Sequence, residues 1–487
     1  MTERPNVVLL VVDSLRADAL SCYDGAFGVE TPHFDSVAEA GVVFENAFTT
    51  GPFTPPAHGS LFSGQYPSQT GFQGPWPSMP ADVPLLAESF ADAGYHTYGI
   101  PGPAKMASPV GLARGFDDYY EVHEEMAERP SLRYVWQLLT DPLIRRDFLR
   151  LFVEGNDYFT RMKFDLLRRL ADAPEPFFAM ANVTTVHAPY DPPRPYKQAA
   201  TPDLSRPRLP ILEEFVEGSV SFDREGVRED RLLEAADGGT YKSGVGLRYF
   251  DDREFLDDAE FDVLRTWYGA ALAFLDDVFG EFLAWLDREG LRENTVLVVT
   301  ADHGEAFGEH GALEHAHFLY DEITHVPLVI SGPGVPVGER RTDLVSLVDV
   351  YPTLCDLAGI DPPDTVAGRS VFGGEERDAV FMEEAVRPVD DVPDLPDVSE
   401  HAIHEFEVGR KSVRTDEYRY ELRSDGEERL YALPGETLVE DPDPSVVDSL
   451  RERLLDALSP EFSEERDADA ADYSPGVRRN LRDLGYL

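Results

Sequence analysis

Three polar residues of this sequence directly follow apolar runs, in a pattern that predicts a metal site. Asp13 directly follows the apolar run Val7–Val12. Asp302 and His303 come just after a second run, Val296–Thr300. Continuous β-branched runs are typical of strands buried on both faces of a parallel sheet, which binds ligands at the carboxyl ends of its strands. Because two carboxylates placed there repel each other, we expect Asp13, Asp302 and His303 to bind a divalent cation.

Thr54 adds a hydroxyl that can serve as a metal ligand, as a nucleophile or as both. The residues from Ala57 to Ser63 are predicted to form the first turns of a helix. A helix N-terminus presents free N–H groups and a positive dipole end, which suits a tetrahedral phosphate or sulfate. Metal coordination would make the Thr54 hydroxyl easier to deprotonate. The alternative is that Thr54 is only the N-cap of this helix.

The stretch from Thr54 to Gly64 resembles the sulfatase signature Cys-x-Pro-x-Arg, followed after five residues by Gly. In that family the Cys, or a Ser, is converted to formylglycine, and a Thr cannot be converted in this way. Other segments also resemble sulfatases, namely Pro5–Asp18, Asn294–Glu305, Leu319–Glu322, Val326–Leu328 and the closing Leu484–Leu487. The resemblance therefore covers nearly the whole chain, and it implies a nucleophile at Thr54 that acts as a plain alkoxide.

The sulfatase resemblance also implies roles for three histidines. His58 occupies the position of the signature Arg, where it would donate a single hydrogen bond on the nucleophile side of the site. His187, in a His-x-Pro segment, would be the general acid that contacts the leaving-group oxygen. His315 or His317 would bind the oxyanion or a second metal near the position of a family lysine, and His317 is preferred. Sulfatases carry another lysine after an earlier strand, and Lys105 is the candidate for that position.

The same resemblance bears on the identity of the metal. Sulfatases hold calcium between paired acids, whereas here Ser14 takes the second acidic position. The lower negative charge and the imidazole of His303 move the preference from calcium towards manganese or zinc, and the three ions remain open.

Alternating strand and helix patterns predict an α/β fold, which the resemblance identifies as an alkaline-phosphatase-like sandwich with a mostly parallel central sheet. The catalytic domain is expected over residues 1–375, with an irregular insertion at 192–258 and helical structure over Pro130–Arg169. A small α+β subdomain with antiparallel strands, a helix and an acidic tail is expected over residues 376–487.

Composition limits the environment and the partners. The net charge is −49, with 92 acidic and 43 basic residues, of which only five are lysines. Such an acidic, lysine-poor surface is expected of a halophilic protein, because the Debye length in molar salt is only about 3 Å and self-repulsion is screened. The alternative is an acidic partner-binding protein in ordinary salt. Either interpretation disfavours binding to nucleic acid.

Two cysteines, Cys22 and Cys355, are too few for a disulfide framework and fit a reducing cytoplasm. No apolar run approaches the roughly 18 residues that a membrane span requires. We therefore expect a metal-dependent hydrolase of sulfate or phosphate esters, acting on a small molecule, a glycan or a lipid head group. The alternatives are a phospho-group transferase acting on glycan or lipid head groups and a non-catalytic binding protein with the same fold.

Overall fold

A computed structural model describes residues 4–74, 77–102, 106, 108–121, 160, 163–164, 167–201, 245–374, 376–387 and 398–462. Several predictions from the sequence lie wholly or mostly outside these residues. They are the role of Lys105, the helical structure over Pro130–Arg169, much of the insertion 192–258, the acidic tail and the closing Leu484–Leu487.

The larger part of the described chain is built on one sheet. The first ten strands are β1 (Asn6–Val12), β2 (Gly41–Phe48), β3 (His96–Ile100), β4 (Asp118–Tyr119), β5 (Phe177–Val183), β6 (Thr295–Ala301), β7 (Ala306–Phe307), β8 (Leu313–Glu314), β9 (Leu328–Ser331) and β10 (Glu339–Ser346). β7 and β8 pair only with each other, and the other eight form a sheet in the order β10-β2-β9-β6-β1-β5-β3-β4. β9 is antiparallel to both neighbours, and all other pairs are parallel. The predicted mostly parallel α/β sheet is confirmed.

The registers of the central strands bring the site residues to one edge. β1 runs parallel to β5 and to β6, so that Val12 lies opposite Val183 on one side and Ala301 on the other. All seven residues of each of these strands are buried, as the apolar runs within β1 and β6 predict. The chain segments that leave β1, β5 and β6 therefore meet at the same carboxyl edge.

Helices cover both the sheet and the small C-terminal unit. They are α1 (Pro32–Glu39), α2 (Thr54–Ser63), α3 (Pro67–Thr70), α4 (Leu86–Asp92), α5 (Arg194–Ala200), α6 (Val245–Asp251), α7 (Asp258–Glu289), α8 (Asp321–Thr324), α9 (Val350–Ala358), α10 (Glu400–Glu407) and α11 (Pro444–Ala457). α7 is the longest of the described helices, and its 32 residues begin at the capping box of Asp257 and Glu260 and end before Gly290, whose φ is +70°.

The C-terminal unit is a separate antiparallel sheet, as expected. Its strands, in spatial and chain order, are β11 (Val380–Glu384), β12 (Arg410–Arg414), β13 (Tyr418–Arg423), β14 (Glu428–Ala432) and β15 (Thr437–Leu438). α11 packs on β12 and β13. The sheet joins the catalytic part through β11, where the N–H of Glu383 donates to the carbonyl of Thr50 (2.9 Å). The proposed domain boundary near residue 375 stays a prediction.

None of the described helices combines the length and the apolar composition that crossing a membrane would require.

Candidate active site

Asp13, Asp302 and His303 come together at the carboxyl edge of the sheet. One side-chain ligand atom from each lies within 4.8 Å of the others, and all three residues are buried. His303 Nε2 is 3.5 Å from Asp13 Oδ1 and 3.5 Å from Asp302 Oδ2. Two ligands about 2.1 Å from one tetrahedral ion are separated by about 3.4 Å. The three side chains thus have the spacing of ligands to a shared ion.

The unpaired atoms of these side chains also fit a cation. Asp13 Oδ2, Asp302 Oδ2 and His303 Nε2 are buried without hydrogen-bond partners. His303 Nδ1 donates to the carbonyl of Gly304 (2.9 Å), which leaves the Nε2 lone pair directed at the two carboxylates. Burial raises the pKa of Asp302, and the charge of Asp13 raises it further. Buried polar atoms without partners are costly, so this donor set fits a divalent ion.

The turn after β1 is fixed by Ser14, which has a φ of +60°. Its N–H donates to Asp302 Oδ1 (3.3 Å), and its carbonyl accepts from the hydroxyl of Tyr268 in α7 (2.9 Å). Ser14 Oγ also lies 3.4 Å from Asp13 Oδ1. Ser14 therefore helps to hold the two carboxylates in place.

Thr54 is the first residue of α2, and Phe53 is its N-cap. The interpretation of Thr54 as a simple N-cap is therefore wrong. Pro55 and Pro56 follow Thr54 in the first turn, where their missing N–H groups cost no helical hydrogen bond. Thr54 is 4% exposed, so this end of the helix is enclosed by the protein.

His58 connects α2 to the predicted metal ligands. Its Nδ1 lies 3.0 Å from the carbonyl oxygen of Thr54 and 3.4 Å from Asp302 Oδ2. Its Nε2 lies 3.0 Å from Nδ2 of Asn182, near the end of β5. Burial lowers the pKa of His58 to about 4, so the ring is neutral and donates from Nδ1 while Nε2 accepts. Both nitrogens are thus used to position the start of α2 beside Asp302.

Asn182 is a site residue that the sequence reasoning missed. The sequence did contain a signal for it, because Asn182 is a polar residue near the end of the otherwise apolar strand β5. A Cβ on Gly102 would lie 1.8 Å from Asn182 Oδ1, so a larger residue there would displace the Asn182 side chain.

His187 and His315 lie on the other side of His303. The ring of His315 is centred 4.3 Å from that of His303 and 5.1 Å from that of His187. His315 Nδ1 lies 2.9 Å from Oε1 of Glu305, a buried residue directly after the Asp-His-Gly motif. His187 follows β5 as predicted and is partly exposed. The structure thus brings His187 into the histidine cluster around the predicted metal ligands.

His317 lies in a different environment from His315. Its Nδ1 is 3.7 Å from Oε1 of Glu384 in β11, and its ring is centred 4.5 Å from that of Phe406 in α10. Burial lowers the pKa of His317, and the guanidinium of Arg387 lowers it further. The structure therefore places His315, rather than the preferred His317, against His303. The oxyanion role of His317 stays a prediction.

Comparison with known proteins identifies the family of the chain. The sulfatase family model matches residues 5–360. The uncharacterized sulfatase YidJ of Escherichia coli (strain K12) is 26% identical over 396 residues, covering 78% of this chain and 73% of that protein. The N-acetylglucosamine-6-O-sulfatase of Bacteroides thetaiotaomicron is 24% identical over 411 residues, covering 76% and 70%.

Among solved structures, a phosphonate monoester hydrolase from Silicibacter pomeroyi superimposes with a TM-score of 0.66 at 22% identity, covering 92% of this chain and 94% of that one. At this identity the likeness concerns the fold, and it confirms the expected alkaline-phosphatase-like architecture. The family match extends over most of the chain, and the chain belongs to the sulfatase family of ester hydrolases.

Proposed function

We propose that this protein hydrolyses phosphate esters with Thr54 as a covalent nucleophile beside a divalent metal ion. The observation that carries the proposal is the position of Thr54 in the first turn of α2, where one nitrogen of His58 faces both the Thr54 carbonyl and Asp302. A tetrahedral anion at this helix end would meet the positive end of the helix dipole, while Pro55 and Pro56 supply no backbone N–H to it.

Asp13, Asp302, His303 and Thr54 are the residues that would hold the metal. When bound, the ion would offset the charge of the two carboxylates, lower the pKa of a coordinated hydroxyl and stabilise negative charge on the transferred group. Calcium, manganese and zinc all remain candidates, and the imidazole of His303 favours the latter two.

The chain's own residues account for the transfer. The Thr54 hydroxyl loses its proton to solvent, and its oxygen forms a bond to phosphorus as the bond to the leaving alcohol breaks. His187 gives a proton to the departing oxygen. Water then attacks the phosphorus of the threonyl phosphate, which releases phosphate and restores the Thr54 hydroxyl.

The choice of phosphate over sulfate follows from the nucleophile. A sulfated formylglycine hydrate expels sulfate by returning to the aldehyde, whereas a sulfated threonine has no such route. A phosphorylated threonine can be cleaved by attack of water at phosphorus. A phosphonate monoester hydrolase is among the structures with the same fold, and it supports phosphorus chemistry on this architecture.

The substrate class is proposed to be a glycan or a lipid head group carrying the ester. A curated relative is named for a sulfate on N-acetylglucosamine, which supports a glycan. Transfer of the phosphoryl group from Thr54 to an alcohol instead of water is the second candidate function, and it would use the same residues. We also propose that the protein works in molar salt and in the cytoplasm, on the basis of its charge of −49 and its two cysteines.

The test compares three aryl substrates that share one leaving group, a phosphodiester, a phosphomonoester and a sulfate. The wild type should hydrolyse one of the phosphorus esters faster than the sulfate. Thr54→Ala should lower that rate by at least ~10³-fold, because the nucleophile and a metal ligand are lost together. Thr54→Ser keeps a hydroxyl and should retain far more activity.

The proposal would be contradicted if the wild type hydrolysed the sulfate faster than both phosphorus esters and if Thr54→Ala lost little activity. Adding glycerol as a competing alcohol separates the two candidate functions. Formation of a glycerol phosphoester in excess over free phosphate would favour the transferase.

A further inference from the structure

Three side chains from separate segments face one another where the catalytic part meets the C-terminal unit. His310 lies in the turn between β7 and β8, Glu322 lies in α8, and Glu436 lies in the turn between β14 and β15. One ligand atom from each lies within 4.8 Å of the others. The cluster shares no residue with the predicted metal ligands of the candidate active site, so it is a separate group of possible metal ligands.

The distances within this cluster leave a gap between its atoms. His310 Nε2 is 3.7 Å from Glu322 Oε2 and 3.8 Å from Glu436 Oε2. Hydrogen bonds from N–H to oxygen extend to only about 3.2 Å, so neither contact is a hydrogen bond. Two ligands about 2.1 Å from one ion are separated by about 3.0–4.2 Å, according to the angle between them. The nitrogen is therefore at ligand spacing from each of the two oxygens.

Glu322 contributes an oxygen that lacks a partner. Its Oε2, the atom that faces His310, is buried without a hydrogen bond. Among the described residues, His310 is the one ionisable group within ion-pair distance of this carboxylate. Burial raises the pKa of Glu322 to about 7. A buried oxygen without a partner costs folding free energy unless a ligand or an ion binds it, and an ion in the gap would supply that partner.

Glu436 is held so that its second oxygen faces the same gap. Its side chain is 1% exposed, and its Oε1 accepts from the guanidinium of Arg419. Its Oε2 accepts from the N–H of Asp321 (2.9 Å), the residue before Glu322. Each carboxylate oxygen has two lone pairs, so the bond from Asp321 leaves one lone pair of Oε2 for an ion.

His310 is oriented by its neighbour and can be reached from solvent. Its ring stacks on that of Tyr320, with the centroids 4.3 Å and the planes 11° apart. His310 is exposed, so an ion has a route into the gap. Carboxylate and imidazole donors together suit manganese or zinc, and three protein ligands leave a position for water.

We propose that His310, Glu322 and Glu436 bind a divalent zinc or manganese ion that fastens the C-terminal unit to the turn between β7 and β8. This proposal does not depend on the proposed function, because none of the three residues takes part in the ester hydrolysis described there. The three ligands meet only in the folded chain, so binding of the ion stabilises the folded state.

The experiment counts Zn²⁺ in the full chain by elemental analysis, after treatment with a chelator, reloading and desalting in molar KCl, which screens weak binding to the acidic surface. His310→Gly and Glu322→Gln should each lower the count by one ion, from two to one in the wild type and from one to none in Asp302→Asn. Glycine readily adopts the φ of +51° at position 310, so His310→Gly should fold. His404→Ala is the matched control, because it removes an exposed histidine that lies 3.0 Å from Asp425, and it should keep the full count.

Thermal unfolding gives a second readout of the same site. Zn²⁺ should raise the melting temperature of Asp302→Asn, and the rise should disappear when His310→Gly is added. An equal rise in both proteins would overturn the proposal.

The ion counts separate this proposal from the proposed function. A count that falls in Asp302→Asn but not in His310→Gly or Glu322→Gln would overturn the new site and leave the metal of the proposed function intact. A count that falls in His310→Gly and Glu322→Gln but not in Asp302→Asn would contradict the metal of the proposed function and leave the new site standing. An equal fall in His404→Ala would mean surface binding and would overturn the new site.

Discussion

Replacing His58 with alanine tests how the first turn of α2 is held. The ring is 0% exposed and bridges the Thr54 carbonyl and Asn182. Losing a large buried side chain costs about 2–5 kcal/mol, and leaving the Asn182 amide without its partner costs about 1–3 kcal/mol. Because the two terms overlap, we expect His58→Ala to lower the free energy of unfolding by about 4 kcal/mol. Activity should fall by about 10²-fold as Thr54 shifts.

The assay is equilibrium unfolding in urea at molar KCl, followed by far-UV circular dichroism, for His58→Ala, Asn182→Ala and the double variant. A direct contact predicts a coupling energy of about 1–2 kcal/mol between the two positions. His96→Ala is the matched control, because its side chain is 30% exposed and its pairing with Asp117 and Asp118 is worth less than about 1 kcal/mol. A coupling energy of zero, with a His58→Ala cost equal to that of the control, would refute the reasoning.

Three further predictions concern salt, pH and the leaving group. Moving the protein from molar KCl to about 0.1 M should lower its melting temperature, because a net charge of −49 is then less screened; an unchanged melting temperature would contradict the halophilic interpretation. Burial raises the pKa of Glu384 to about 7, so the wild type should lose about 3 kcal/mol of unfolding free energy relative to Glu384→Gln as pH rises from 4.5 to above 7; parallel pH profiles of the two proteins would contradict this. If His187 protonates the leaving oxygen, His187→Ala should slow alkyl esters by about 10²–10⁴-fold and aryl esters much less, whereas equal losses would remove that role.

Much of the fold could be predicted because its central strands are unusual in sequence. The continuous apolar runs of β1 and β6 indicated a parallel sheet, and their ends identified Asp13 and Asp302. Other strands were missed for physical reasons. β10, for example, begins with five charged or polar residues that are exposed or half-buried, because it lies at the sheet edge.

Site residues could be predicted where they are neighbours in one short motif. Residues that come together only in the folded structure were harder to predict. His303 follows Asp302 in sequence, but the contact of Asn182 with His58 joins residues 124 positions apart. His315 and His317 differ by two positions and point to different neighbours, because Ala316 between them has a φ of +90°. A single sequence contains no signal for that turn, so it could not show which of the two histidines lies against His303.

The central claim is that Thr54 becomes covalently phosphorylated during turnover, and a rapid acid quench tests it most directly. Wild-type enzyme mixed with an aryl phosphomonoester and quenched within one turnover should yield the peptide containing Thr54 with the mass of one added phosphoryl group. His187→Ala should yield the same adduct more slowly, and Thr54→Ala should yield none. Product formed at the wild-type rate without any modified Thr54 peptide would show that water attacks the substrate directly, and it would contradict the account.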